Sequence, residues 1–169
     1  MSSIKWYSLR QDLYMDLPKN TVGAEIGVAK GLNAINLAQI AKPKKLYLVD
    51  TWEIYHMGPQ MLNKEMEKTG NPYIGKLGHK TYIDHLSDLF EIEISNDIVK
   101  LCKMDAMDWL KSQKDDSLDW IYIDASHHYN DVKNQIEECK RVVKCNGLIC
   151  GHDFGVNRDS WGLGTIAAI

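Results

Sequence analysis

The sequence predicts an α/β protein built on a doubly wound sheet of parallel strands. Two observations lead there. Five short apolar runs, at 21–26, 46–49, 98–104, 118–123 and 148–151, alternate with stretches of helical periodicity. Each run also closes on or beside an acidic residue, where open α/β sheets keep their ligands.

The elements follow in order. Leu9, Leu13 and Leu17 recur at steps of four and Pro18 closes the pattern, so a lead-in helix is expected within 4–17 of an N-terminal stretch 1–19. Thr21 to Ile26 is the first strand. From Gly31, Leu32, Ile35 and Ala38 share one helical face that ends before Pro43. Leu46 to Val49 is the second strand, stopping at Asp50. Residues 51–80 hold Gly58-Pro59, Asn71-Pro72, Gly75 and Gly78, which predict a loop-rich insertion with a turn of helix near 61–68. Ile83, Leu86, Phe90 and Ile94 then mark a helix, 98–104 a third strand and 105–112 a short helix. Leu118 to Ile123 is the fourth strand, ending at Asp124. Val132, Ile136, Cys139 and Val143 share a helix face, and Leu148 to Gly151 is the fifth strand, ending at His152-Asp153. No repeat or linker divides the chain, so 1–169 is expected to be one domain.

Composition narrows the function classes. The 169 residues can bury one sizeable core, and 44% hydrophobic with 25% charged residues excludes collagen-like, disulfide-dense and broadly disordered chains. A net charge of −3 gives no general attraction to nucleic acid or to an anionic membrane, and neither is expected as a partner. No apolar run reaches the length of a membrane span, and the first 20 residues lack a signal-peptide core, so a cytoplasmic location is expected. Cys102, Cys139, Cys145 and Cys150 show no C-x-x-C spacing, and the apolar settings of Cys102 and Cys150 make them core thiols.

The chemistry collects at the strand ends. Glu25 lies in the end of strand one, and Asp50, Asp105, Asp124 and Asp153 close or follow strands two to five in turn. Any one acid could simply begin a turn or cap a helix, but a complete set at one end of a sheet points to a site. Gly27 and Gly31 permit a tight turn and close approach of a ligand to the backbone. Their E-x-G-x-x-x-G spacing is neither G-x-G-x-x-G nor a Walker loop. Asp50, placed to accept hydrogen bonds from ribose hydroxyls, identifies a nucleoside and little more.

Glu25-Ile26-Gly27-Val28-Ala29-Lys30-Gly31 and Leu48-Val49-Asp50 resemble the first two motifs of class I S-adenosylmethionine-dependent methyltransferases. Met104-Asp105-Ala106 resembles the segment that meets adenine in that family. Ile123-Asp124-Ala125-Ser126-His127-His128-Tyr129, with Gly147 to Asp153 later, is similar to a subgroup holding small-molecule and sugar O-methyltransferases. The resemblance spans about residues 20–155. It implies a Rossmann-like sheet in the order 3-2-1-4-5 and binding of S-adenosyl-L-methionine by Glu25, Gly27, Gly31, Asp50, Thr51, Asp105, Ala106 and Asp124.

For metal-dependent members it further implies a divalent ion, Mg²⁺ or Mn²⁺, at Asp124, His152 and Asp153. Such an ion would lower the pKa of an acceptor hydroxyl. His152 departs from the acid of that pattern, and a structural bond to neighbouring backbone is the alternative for it. Catalytic roles fall to Asp124 and to His127 as proton acceptor, with His128 as the other candidate. The acceptor would be a hydroxyl of a small molecule or sugar. Two other classes stay open: an NAD(P)-dependent oxidoreductase, against which the missing G-x-G-x-x-G speaks, and a nucleoside-binding module without catalysis. Trp52, Tyr55, His56 and Met57 open a loop that could cover the site, and His79 and His85 receive no role. Relative to the family, the chain is expected to lack the final antiparallel strand pair, and the apolar ending 165–169 suggests a homodimer.

Overall fold

The computed structural model describes residues 7, 9–53, 81–126 and 128–152. The expectations for the insertion, including the helix near 61–68, lie outside these residues, as do His127 and Asp153. Five parallel strands, β1 (Val22–Ile26), β2 (Lys45–Asp50), β3 (Val99–Lys103), β4 (Leu118–Ile123) and β5 (Val143–Gly151), form one sheet in the order β3-β2-β1-β4-β5. The predicted Rossmann-like order is thus observed.

Helices cover both faces because strand alternation gives each face its own apolar set. Leu46, Leu48, Trp120 and Tyr122 point into a layer shared with Tyr14, Leu37, Leu86 and Phe90. Ala24, Ile26, Val49 and Ile121 point the other way, onto Trp109, Leu110, Cys139 and Val142. The first layer is carried by α1 (Arg10–Asp16), α2 (Leu32–Asn36), α3 (Tyr82–Leu89) and α4 (Glu91–Ser95). The second is carried by α5 (Ala106–Ser112) and α6 (Tyr129–Val142). Gly23 leaves room for the Trp120 indole, which a Cβ would meet at 2.1 Å. Val22 N–H donates to Asp119 Oδ2 at 2.8 Å, tying the starts of β1 and β4 together.

Three local expectations are corrected. Helix α1 begins at Arg10, and Leu9, at its N-cap, is 60% exposed, so Tyr14 joins Leu17 in the core instead. In α2 and its π-helical continuation Leu37–Ala41, the buried face is Asn33, Ala34, Leu37 and Ala41. Leu32 is exposed, while Ile35 and Ala38 pack only at the margin. The left-handed Gly31 (φ 81°) sets the rotation of the first turn, and the wide last turns carry it on to a left-handed Lys42 before Pro43. Finally, β5 starts at Val143 rather than Leu148. Val143 pairs with Leu118, and Leu148 with Trp120 two residues on, so the intervening chain bulges out through left-handed Asn146 (φ 68°). Among the described residues no helix is long and apolar enough to cross a membrane.

Candidate active site

The carboxyl ends of β1, β2 and β4 converge on the turn from Gly27 to Gly31. Gly27 N–H donates to Val49 O at 2.9 Å, and Asp124 N–H to Ile26 O at 2.8 Å. Gly27 has φ 88°, and a Cβ there would lie 2.2 Å from Asp124 O, so only glycine lets the turn pass this close to the end of β4. The turn is completed by Ala29 in a left-handed conformation (φ 48°) and by Gly31 N–H donating to Val28 O at 2.9 Å.

Asp50 fixes that turn from the side. Its Oδ2 accepts from Ala29 N–H at 2.9 Å and its Oδ1 from Trp52 N–H at 2.8 Å. The Trp52 indole returns a bond from Nε1 to Ala29 O at 3.2 Å. A carboxylate oxygen carries two lone pairs, so Asp50 can hold the turn and still accept from a ligand's hydroxyls. Thr51 Oγ1 accepts from Glu53 N–H at 3.4 Å.

Glu25 is 1% exposed, and burial raises its carboxyl to about 8. The neighbouring negative charges of Asp124 and Asp50 push in the same direction, against the lowering effect of Asn33 and Arg10. Near neutral pH Glu25 is therefore largely protonated, which avoids the cost of an unpaired buried charge. Asn33 Nδ2 donates to Glu25 Oε1 at 3.0 Å, and Tyr14 donates its hydroxyl to Asn33 Oδ1. Glu25 Oε2 and the hydroxyl of Tyr122, its register partner on β4, are buried without a hydrogen-bond partner among the described residues. Burial pushes the Tyr122 hydroxyl far up, so it remains a neutral donor.

The other predicted residues separate into two groups. Asp105 caps α5, its Oδ1 accepting from Met107 N–H at 2.8 Å and Asp108 N–H at 3.2 Å, which leaves Oδ2 outside the cap. Ala106 is the first residue of α5, half-buried against the second layer. Asp124 stands close enough to Glu25, Tyr14 and Tyr122 for its charge to raise all three. His152 follows β5 directly, its N–H donating to Ile123 O at 3.2 Å. That bond brings Asp124 and His152 to adjoining strand ends, but no group of three metal-ligating side chains occurs among the described residues. His128 precedes α6 without capping it, while its N–H donates to Ser126 Oγ at 3.2 Å, whose hydroxyl in turn donates to Asp131.

Sequence reasoning missed Tyr14, Asn33 and Tyr122. A polar residue inside an apolar helical pattern was the available signal, and Asn33 carries it.

Residues 24–154, more than half of the chain, match the family model of a methyltransferase domain. The chain belongs to this methyltransferase-domain family. A search of curated proteins gives no match. Among solved structures, this methyltransferase domain is similar to a Corynebacterium glutamicum protein at 15% identity and TM-score 0.60, over 94% of this chain and 65% of that one. It is similar to M. jannaschii TYW2, crystallised in complex with AdoMet, at 16% identity and TM-score 0.51, over 84% and 51%. Precorrin-6y C5,15-methyltransferase from Geobacter metallireducens matches at 15% identity and TM-score 0.51, over 83% and 57%. Likenesses at this identity establish the fold. The chain spans less than two thirds of the length of each of these structures.

Proposed function

We propose that the chain is an S-adenosylmethionine-dependent methyltransferase domain that methylates a hydroxyl of a small molecule or sugar. The observation that carries this reading is the turn Gly27–Gly31, packed against the end of β4 and held by the Asp50 carboxylate through Ala29 N–H. The buried Glu25 Oε2 lies at the root of this turn with no hydrogen-bond partner among the described residues, so the residues present fit a bound nucleoside with a polar amino-acid tail.

When bound, S-adenosylmethionine supplies an electrophilic sulfonium methyl, which needs little covalent help from the protein. The chain's own residues then have three tasks. Asp50 accepts from the ribose hydroxyls while keeping the turn closed. Asp105 Oδ2 and Ala106 border the adenine. Asp124 holds the acceptor hydroxyl, and His127 or His128 takes its proton, which imidazole does near neutral pH. Positioning of this kind accounts for most of the barrier reduction available to such a site.

Divalent-ion assistance belongs to the same proposal, with Asp124, His152 and Asp153 as the ligands. The described residues supply two of these donors at adjoining strand ends, fewer than a divalent shell needs. Homodimer formation is also proposed, supported by Leu148 (39% exposed) and Ile149 (41% exposed) on the edge strand β5.

A mass-spectrometric screen for methyl transfer to hydroxylated acceptors, with and without Mg²⁺, tests this function. A gain of one methyl on a hydroxyl, dependent on S-adenosylmethionine, is the expected outcome. Hydride transfer from NADH in the same panel, with no methyl transfer, would replace the proposal with the oxidoreductase class.

A further inference from the structure

A cavity of about 370 Å³ opens between α1, α2 and the end of β5. Its walls are Leu9, Arg10, Gln11 and Tyr14 from the α1 region, Leu32, Asn33 and Asn36 from α2, and His152. That volume is in the range of small-molecule sites. Its position is also telling. Leu32 and Asn33 follow Gly31 directly, and His152 follows the strand next to β4, so the cavity borders the crevice in which the methyl donor is proposed to sit.

The lining is unusual in its charge. The chain as a whole carries −3, and acids crowd the strand ends, yet no Asp or Glu lines this cavity among the described residues. Arg10 is its permanent cation. Tyr14 shares this wall with Arg10, whose positive charge acts on the Tyr14 hydroxyl against the raising effect of burial. The amides of Gln11 and Asn36 add neutral hydrogen-bonding capacity. The contrast with the other large hollow is direct. That one, about 590 Å³ beside β2 and β3, is lined by Lys45 and Lys100 but also by an acid, Asp97, which pairs with Lys45.

From this juxtaposition we infer that the cavity is the acceptor subsite, and that Arg10 selects acceptors carrying an anionic group, phosphate or carboxylate, beside their hydroxyls. The inference rests on the methyltransferase reading for the word acceptor, and on the cavity alone for the anion. A planar guanidinium matches both oxyanions in a bidentate manner, and the second rim of amides suits the hydroxyls of a sugar-sized body. Tyr14, on the same wall, donates to Asn33, which donates to Glu25, so the subsite adjoins the proposed donor site.

The test is titration calorimetry of the full chain with D-glucose 6-phosphate, D-glucuronate and neutral D-glucose, each with and without S-adenosylhomocysteine. At least one anionic sugar is expected to bind at least tenfold more tightly than glucose, and which one binds distinguishes a phosphate from a carboxylate site. Arg10→Gln should weaken that anion at least tenfold, the size of a lost charge-assisted hydrogen bond, with S-adenosylhomocysteine affinity unchanged. Arg10→Lys should retain part of the preference. Equal binding of neutral and anionic sugars, no binding of either anion, or an unchanged anion affinity in Arg10→Gln would overturn the inference. The wild-type comparison decides the charge preference even if a variant fails to fold. Anion binding without S-adenosylhomocysteine binding would sink the methyltransferase reading while upholding the anionic subsite.

Discussion

Asn33 reaches from the first turn of α2 to the middle of the sheet, where its Nδ2 donates to Glu25 Oε1 at 3.0 Å. This bond makes a carboxyl tolerable beneath the proposed donor turn, because it satisfies one oxygen of a group that burial keeps protonated.

That protonation has a measurable consequence. In the folded chain Glu25 keeps its proton up to about 8, whereas its ordinary value is 4.5. Between those values the folded state binds the extra proton, so stability falls as pH rises, by up to about 1.4 kcal/mol per pH unit. Below the unfolded value the contribution is fully present. Urea unfolding across pH 5 to 8, in a chelator-containing buffer, should show a shallower decline for Glu25→Gln than for the wild type. Identical slopes would mean that Glu25 is ionised in the fold.

Gly27→Ala should be among the most damaging substitutions available. The added Cβ would meet Asp124 O at 2.2 Å from a backbone at φ 88°. A loss of about 2–4 kcal/mol is expected from the clash and the strained dihedral together. Thermal melts give the stability, and any soluble protein should have lost donor affinity as well. A wild-type melting temperature would contradict the geometry of the turn.

Asp105 separates a structural from a ligand-facing role. Asp105→Ala should cost about 1 kcal/mol through the lost cap on α5, and Asp105→Ser should restore it. Asp105→Ser is nonetheless expected to bind S-adenosylhomocysteine several-fold more weakly, because Oδ2, outside the cap, is gone. Full donor affinity in Asp105→Ser would reduce Asp105 to a cap.

Much of this was legible from residue order. The apolar run from Leu118 to Ile123, broken only by Asp119, predicts β4 to the residue, since a strand buried on both faces is nearly continuous in apolar residues. The acids that close the strands were visible for the same reason. The face of α2 was not, because a rotation set by one left-handed glycine and by widened last turns leaves no mark on an apolar count. Asn33 and Tyr14 also escaped notice. Their value lies in a partner, Glu25, whose burial is a property of the assembled sheet. The long β5 was hidden by a bulge that interrupts its period with Asn146 and Gly147.

The proposed ion is tested by removal. Chelation should lower methyl transfer, and Asp153→Ala should abolish any metal-stimulated part of the rate with donor affinity largely intact. Turnover that is indifferent to both chelation and Asp153→Ala would remove the ion from the mechanism and leave proton transfer to histidine alone.

The central claim is that the crevice above Gly27–Gly31 and Asp50 receives S-adenosylmethionine. Titration calorimetry of the full chain with S-adenosylhomocysteine addresses it directly, with Asp50→Ala as the paired variant. Saturable one-site binding that weakens at least tenfold in Asp50→Ala, with no heat from NADH, is the predicted result. Binding of NADH in place of S-adenosylhomocysteine would contradict it.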